Sequence, residues 1–201
     1  FQTPIFIEQT GWYRIKTWAT LNNDENPQNN RAETTIQIIR LGDREAPDIY
    51  ETFEQVPPAG WLINNADSMQ SWESYTGIGP TGASTALLRL PHYDYLVYRA
   101  GDRLVSVPVD LRNSITPALS FYRAYAPHGY SSRADSFRID VFTDCGDTFE
   151  KSIFGAAGSR LATHPVRSTA WEPGGAEDWR EQVIDLTEFA GQEILVKLVS
   201  I

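Results

Sequence analysis

Apolar and polar side chains alternate with a period of two along several stretches of this chain, and no stretch carries a convincing 3.6-residue helical period. Near the start, Tyr13, Ile15, Thr17 and Ala19 alternate with Trp12, Arg14, Lys16 and Trp18. Thr34 to Ile39 is a second β-prone run. Between them, Asn22 to Asn30 is a dense cluster of turn formers. The pattern predicts a hairpin with a long polar loop. Two strands alone are marginally stable, so this pair must complete a sheet with a segment upstream or pack on the rest of the chain.

A charged connector, Leu41 to Pro47, separates the hairpin from a longer series of short strands. The candidates are 86–90, 103–109, 118–126, 136–143, 148–154, 181–186 and 194–201. Phe137, Ile139 and Val141 alternate with Arg138, Asp140 and Phe142, which predicts a strand with one dry face. Asp144-Cys145-Gly146-Asp147 then reads as a tight hairpin turn. Ile194 to Val199 is almost continuously apolar, the signature of a central strand. Leu186 to Gly191 reads as one short turn closed by glycine. The expected fold is all-β: a jelly-roll β-sandwich over residues 46–201, preceded by a partial Ig-like β-hairpin in residues 1–41.

Composition narrows the function. The 201 residues allow one domain or one and a half. No apolar run approaches the ~20 residues of a membrane span, so no membrane insertion is expected. A net charge of −9 argues against nucleic acid, which is bound by clustered Lys and Arg. It suits cations, glycans or proteins. Cys145 is the single cysteine, so neither an internal disulfide nor a cysteine zinc site forms. The chain starts at Phe1 and stops inside an apolar run at Ile201, as a piece of a longer polypeptide would.

One series of motifs resembles a known group of domains. Phe53-Glu54, Gly60-Trp61, Asp67 and Trp72 are similar to the opening of MAM-like jelly rolls. They more closely resemble the cleaved-adhesin and choice-of-anchor J domains of secreted Bacteroidetes proteins. Gly101 to Ser106, Val109-Asp110-Leu111, Pro117 to Phe121, Val141 to Phe149, Leu161 to Thr163, Trp179-Arg180, Val183 to Leu186 and Ala190-Gly191 follow in the same order. The hairpin of residues 11–39 resembles the tail of an Ig-like, adhesion-related domain. The resemblance implies a noncatalytic module in a secreted or cell-surface multidomain protein, with a structural calcium near the Phe-Glu motif. It also implies a closing strand with Asp-Asn or Asp-Asp beyond Ile201, and core positions for Trp61, Trp72 and Trp179.

Calcium takes six to eight oxygen ligands. Glu54 and Asp67 flank one loop, and the family pattern brings Asp102 towards them; Asp48 and Asn65 are weaker additions. The bland alternative is that these groups bond their own backbone in turns. Cys145 lies between Asp144 and Asp147, which would raise its pKa and leave it inert. His92, His128 and His164 lack zinc spacing. Asp135, Asp140 and Glu150 could form a glycosidase pair, but a solvated strand face is the plain expectation. Trp12, Trp18, Tyr93, Tyr95 and Tyr122 are candidate platforms for a glycan, with packing as the alternative. The expected function is a noncatalytic extracellular adhesion or binding module, with calcium as a structural cofactor. Its partners would be other domains of the same polypeptide and an extracellular protein or glycan ligand. The competing expectation is a carbohydrate-binding accessory module of an extracellular metalloprotease or glycosidase.

Overall fold

Strand-forming segments that each bury one face must share a core, and the computed structural model shows how they do so. It describes residues 11–20, 30–38, 49–65, 67–94, 101–129, 135–143 and 148–201, together with 7, 9 and 26. The chain divides into two units, Phe1–Asp43 and Arg44–Ile201. In the first, β1 (Gly11–Trp18) pairs antiparallel with β2 (Arg31–Ile38), from Gly11 opposite Ile38 to Trp18 opposite Arg31. Glu33 pairs with Arg14 at 3.1 Å and Lys16 at 3.7 Å across this ladder. Both are exposed pairs of small energetic weight.

The second unit contains β3 (Leu62–Asn64), β4 (Glu73–Ile78), β5 (Ser84–Arg89), β6 (Asp102–Val105), β7 (Val109–Asp110), β8 (Ala118–Arg123), β9 (Ser136–Thr143), β10 (Thr148–Ala157), β11 (Arg180–Asp185) and β12 (Glu193–Ser200). The principal sheet runs β10-β9-β12-β6-β3, with β7 also paired to β12. The continuously apolar run therefore forms the central strand, as its pattern predicts. The run expected over 103–109 is split. Ser106 keeps a backbone bond to the carbonyl of Val196 (2.9 Å), but its hydroxyl accepts from the Val196 amide (3.0 Å), and Pro108 has no amide to offer.

Two ribbons, β8–β11 and β4–β5, make the other layer. Leu119 and Phe121 of β8 and Ile184 of β11 pack on Ile139, Val141, Ile194 and Val196 of the principal sheet. The Phe121 ring stands edge-on to Phe154 (5.3 Å) and Phe137 (6.0 Å), and Trp72, just before β4, packs edge-on to Phe137 at 6.3 Å. Trp179 Nε1 donates to the Ile78 carbonyl (3.0 Å) and so ties one ribbon to the other. Consecutive strands cross repeatedly between the layers: β3 to β4, β5 to β6, β7 to β8, β8 to β9, β10 to β11 and β11 to β12. The architecture is an all-β sandwich with jelly-roll crossings. Among the described residues no helix is long and apolar enough to cross a membrane.

One tight approach shapes the entry to β3. Gly60 has φ +77°, and a Cβ built there would lie 2.7 Å from Val107 Cγ1. Gly60→Ala is expected to lower stability by about 1–3 kcal/mol through strain and overlap, measurable as a reduced urea midpoint.

Candidate functional site

Asp102 opens β6 on the same face as Leu104, two residues on. That face turns towards the second layer, because Leu104 lies opposite Leu198, whose side chain joins the core. Ser200 lies opposite Asp102 on β12, and continuation of the β3–β6 register brings Asn65 to its other side. Asp102 is only 2% exposed. Burial, and then the negative charge of nearby Asp67, push its carboxyl up from 3.8 to about 6; the Ser71 hydroxyl draws it partly back. Five buried side-chain polar atoms lack a partner among the described residues, and three are oxygens of this one cluster: Asn65 Oδ1, Ser71 Oγ and Asp102 Oδ2.

The loop after β3 folds back on itself to gather these groups. Asn65 Nδ2 donates to the Met69 carbonyl (2.7 Å), and the Met69 amide donates to Asp67 Oδ1 (2.9 Å). Ser68 between them takes a left-handed φ of 59°. A buried acceptor without a donor costs about 1–3 kcal/mol. Asp102 Oδ2 and Asn65 Oδ1 are such acceptors, and with the Ser71 hydroxyl they supply the carboxylate, amide carbonyl and hydroxyl oxygens that a hard cation prefers. Among the described residues no group of three or more His, Cys, Asp or Glu side chains is placed to hold a metal. This cluster has two carboxylates, and its remaining oxygens come from Asn65 and Ser71.

Glu54 takes another direction. Phe53 has φ 57°, its amide held by Glu51 Oε1 at 2.6 Å, and the next side chain, Glu54, is exposed. Asp48, Tyr95 and Cys145 lie outside the described residues. Trp12 lies on β1 opposite Gln37, and Trp18 at the end of β1 is 71% exposed. Tyr122 projects from the outer face of β8, 50% exposed. Trp61 stacks edge-on with Phe53 at 6.3 Å and is half-buried, as are Trp72 and Trp179.

The carboxylates considered for hydrolysis are parted by the pleat. Asp135 precedes β9 and belongs with its inner residues, whereas Asp140 alternates to the opposite face. Asp140 is not solvated as expected: it is 3% exposed, beneath Arg138 (Nε, 2.8 Å) and the Ser152 hydroxyl (2.6 Å). Neighbouring β10 covers it. Glu150 accepts from the Thr143 hydroxyl (2.6 Å).

Folding also assembles a group that sequence separation conceals. His92 Nε2 lies 2.7 Å from Ser200 Oγ, His92 Nδ1 lies 3.7 Å from Asp135 Oδ1, and Tyr125 OH donates to Asp135 Oδ2 (2.9 Å). Burial lowers the His92 pKa against the opposing pull of Asp135. The residue types are those of a nucleophilic triad, but the geometry is not. Ser200 is 4% exposed within β12, and the following amide, of Ile201, is already bonded to the Ser136 carbonyl at 3.0 Å. The amide after a serine nucleophile is the usual oxyanion donor, and here it is spent on the sheet. The group is a satisfied polar tie across the end of the sandwich.

Two aromatic contacts bear on the glycan platforms: Tyr93 is one of those expected from the sequence, and Trp171 is not. Tyr93 tilts against His128 (5.8 Å between ring centroids) and Trp171 stacks on His164 (4.8 Å). The available signal was a lone tryptophan in a turn-rich run, Ser168-Thr-Ala-Trp-Glu-Pro-Gly-Gly175.

No family description matches this chain, and no curated protein does. Among solved structures it is similar to a carbohydrate-binding module of the β-sandwich superfamily, described as promiscuous in specificity. That similarity has 12% identity and a TM-score of 0.34, and covers 96% of this chain and 67% of the other. At that score it settles neither topology nor ligand.

Proposed function

We propose that this chain is a noncatalytic binding module of a larger secreted or cell-surface protein, of the adhesion type, with a structural calcium ion beside β6. The resemblance to cleaved-adhesin and choice-of-anchor J domains belongs to the same proposal. One observation carries it: Asp102 Oδ2, Asn65 Oδ1 and Ser71 Oγ are buried oxygens with no hydrogen-bond partner among the described residues, and Asp67 is near enough to raise the Asp102 pKa. Asp102, Asp67, Asn65 and Ser71 would hold the ion, with water and main-chain carbonyls completing its shell. The ion would neutralise a carboxylate buried on the inner face and fasten the loop before β4 to the edge pair β3–β6. The noncatalytic part is supported by the carboxylates facing opposite sides of the sheet and by the inaccessible Ser200 hydroxyl.

Binding to the folded state alone raises stability by mass action, about 2.7 kcal/mol at one hundred times the dissociation constant. For a unit of this size that is roughly 5–11 °C in melting temperature. Calorimetry in excess calcium against excess chelator is the test, and identical melting curves would remove the metal site. A second reading, a carbohydrate-binding accessory module, is favoured by the ring contacts at Tyr93 and Trp171.

A further inference from the structure

We infer that the surface running from Tyr93 to Trp171 is a binding site for a neutral oligosaccharide. The inference rests on the binding-module reading of the chain but not on its metal site. Four contacts link the residues into one row. The Tyr93 ring meets His128 at 5.8 Å. His128 and Arg167 form a parallel bridge, clamped by Gly129 N to Arg167 O (3.1 Å) and Arg167 N to Pro127 O (2.9 Å). Arg167 Nη2 donates to His164 Nε2 at 3.3 Å, and His164 stacks on Trp171 at 4.8 Å with 36° between the planes. His164 Nδ1 lies 3.0 Å from the Pro165 carbonyl and donates to it.

Tyr93 is 54% exposed and the side chains from Pro165 to Ala170, Arg167 among them, are exposed, while His128, His164 and Trp171 are half-buried. Aromatic rings at both ends offer flat apolar faces to the C–H faces of pyranose rings. The guanidinium between them has five N–H donors and spends one on His164, leaving others for sugar hydroxyls. Ser168 and Thr169 add hydroxyls on the exposed turn. The backbone bonds that clamp the His128–Arg167 bridge hold the centre of the row in place, so little freedom is lost there on binding.

Charge selects the neutral class. Asp178 Oδ1 is 4.0 Å from His164 Nε2 and offsets the Arg167 cation, and the whole chain carries −9, so the surrounding field disfavours an acidic glycan. A polypeptide ligand would need an edge strand or an apolar groove, and the row presents rings and polar donors instead.

Affinity electrophoresis through gels containing hydroxyethyl cellulose, xylan, galactomannan, polygalacturonate or gelatin tests this directly. Retardation by at least one of the three neutral polysaccharides is expected. Trp171→Ala should weaken it by about tenfold or more, as loss of an aromatic anchor does. Tyr93→Ala, an exposed truncation that leaves the fold intact, should weaken it by roughly threefold or more. No retardation, retardation by polygalacturonate or gelatin alone, or a neutral-sugar response unchanged in Tyr93→Ala each overturns the site. The calcium-dependent melting shift is read separately and is expected in both variants, so loss of the glycan site leaves the metal-site result standing.

Discussion

Replacing Phe121 with Ala is expected to lower the stability of the larger unit by about 3–5 kcal/mol. Phe121 is where the layers interlock. Its ring lies edge-on to Phe154 and Phe137 of the principal sheet, and Leu119 and Ile184 on the same ribbon pack beside it. Truncation removes both ring contacts and leaves a void that a two-stranded ribbon cannot collapse to fill. The neighbouring Tyr122→Ala should change stability by no more than about 0.5 kcal/mol, since Tyr122 is half exposed on the outer face. The pair tests the register. A slip of one residue exchanges inner and outer faces, and the two costs would then exchange as well. Urea midpoints with an unchanged slope are the measurement; a larger loss for Tyr122→Ala than for Phe121→Ala would refute the layering.

The same reasoning explains what was legible before any coordinates. Alternation in Phe137, Ile139 and Val141 named the inner residues of β9, and the unbroken run at 194–199 named the central strand. Both signals arise from burial, which sequence pattern records directly. β4 was missed, because Glu-Ser-Tyr-Thr-Gly-Ile holds too few apolar residues to register; it exists through its ladder with β5 and the covering Trp72 and Trp179. β3 has three residues and is a strand only because β6 lies beside it. At the cation cluster, Asp67 and Asp102 were legible as acids in the right order. Asn65 and Ser71 gain their importance from the β3–β6 register and a loop that doubles back, while a left-handed Phe53 turns Glu54 outward. The tie between His92, Asp135 and Ser200 spans 108 residues, and no local pattern announces it.

The contribution of Asp102 to stability without metal is expected to fall as pH rises from about 4 to about 6, opposite to the usual behaviour of a carboxyl group in a folded protein. In the unfolded chain its carboxyl loses its proton near 3.8; folded, burial and Asp67 hold the proton to about 6. Between those values the native state binds more protons, so raising the pH favours unfolding, and the loss is complete above 6. The span corresponds to about 3 kcal/mol, or roughly 6–12 °C. Asp185 works in the other direction, its pKa lowered by hydrogen bonds from Thr187, so the contribution of Asp102 is read as a difference between variants. Asp102→Asn keeps the shape and removes the charge. In chelator at pH 7 it should melt higher than the parent protein, because a buried charge without compensation is gone. At pH 4, where both side chains are neutral, the two should melt alike. Calcium should reverse the ranking at pH 7: the ion keeps the Asp102 carboxylate ionised, the parent protein gains stability, and the Asn variant gains little. If the Asn variant responds to calcium as fully as the parent does, the ion is bound elsewhere. If the two proteins keep a constant difference from pH 4 to 7 in chelator, the carboxyl at the head of β6 is not the strained group its surroundings make it.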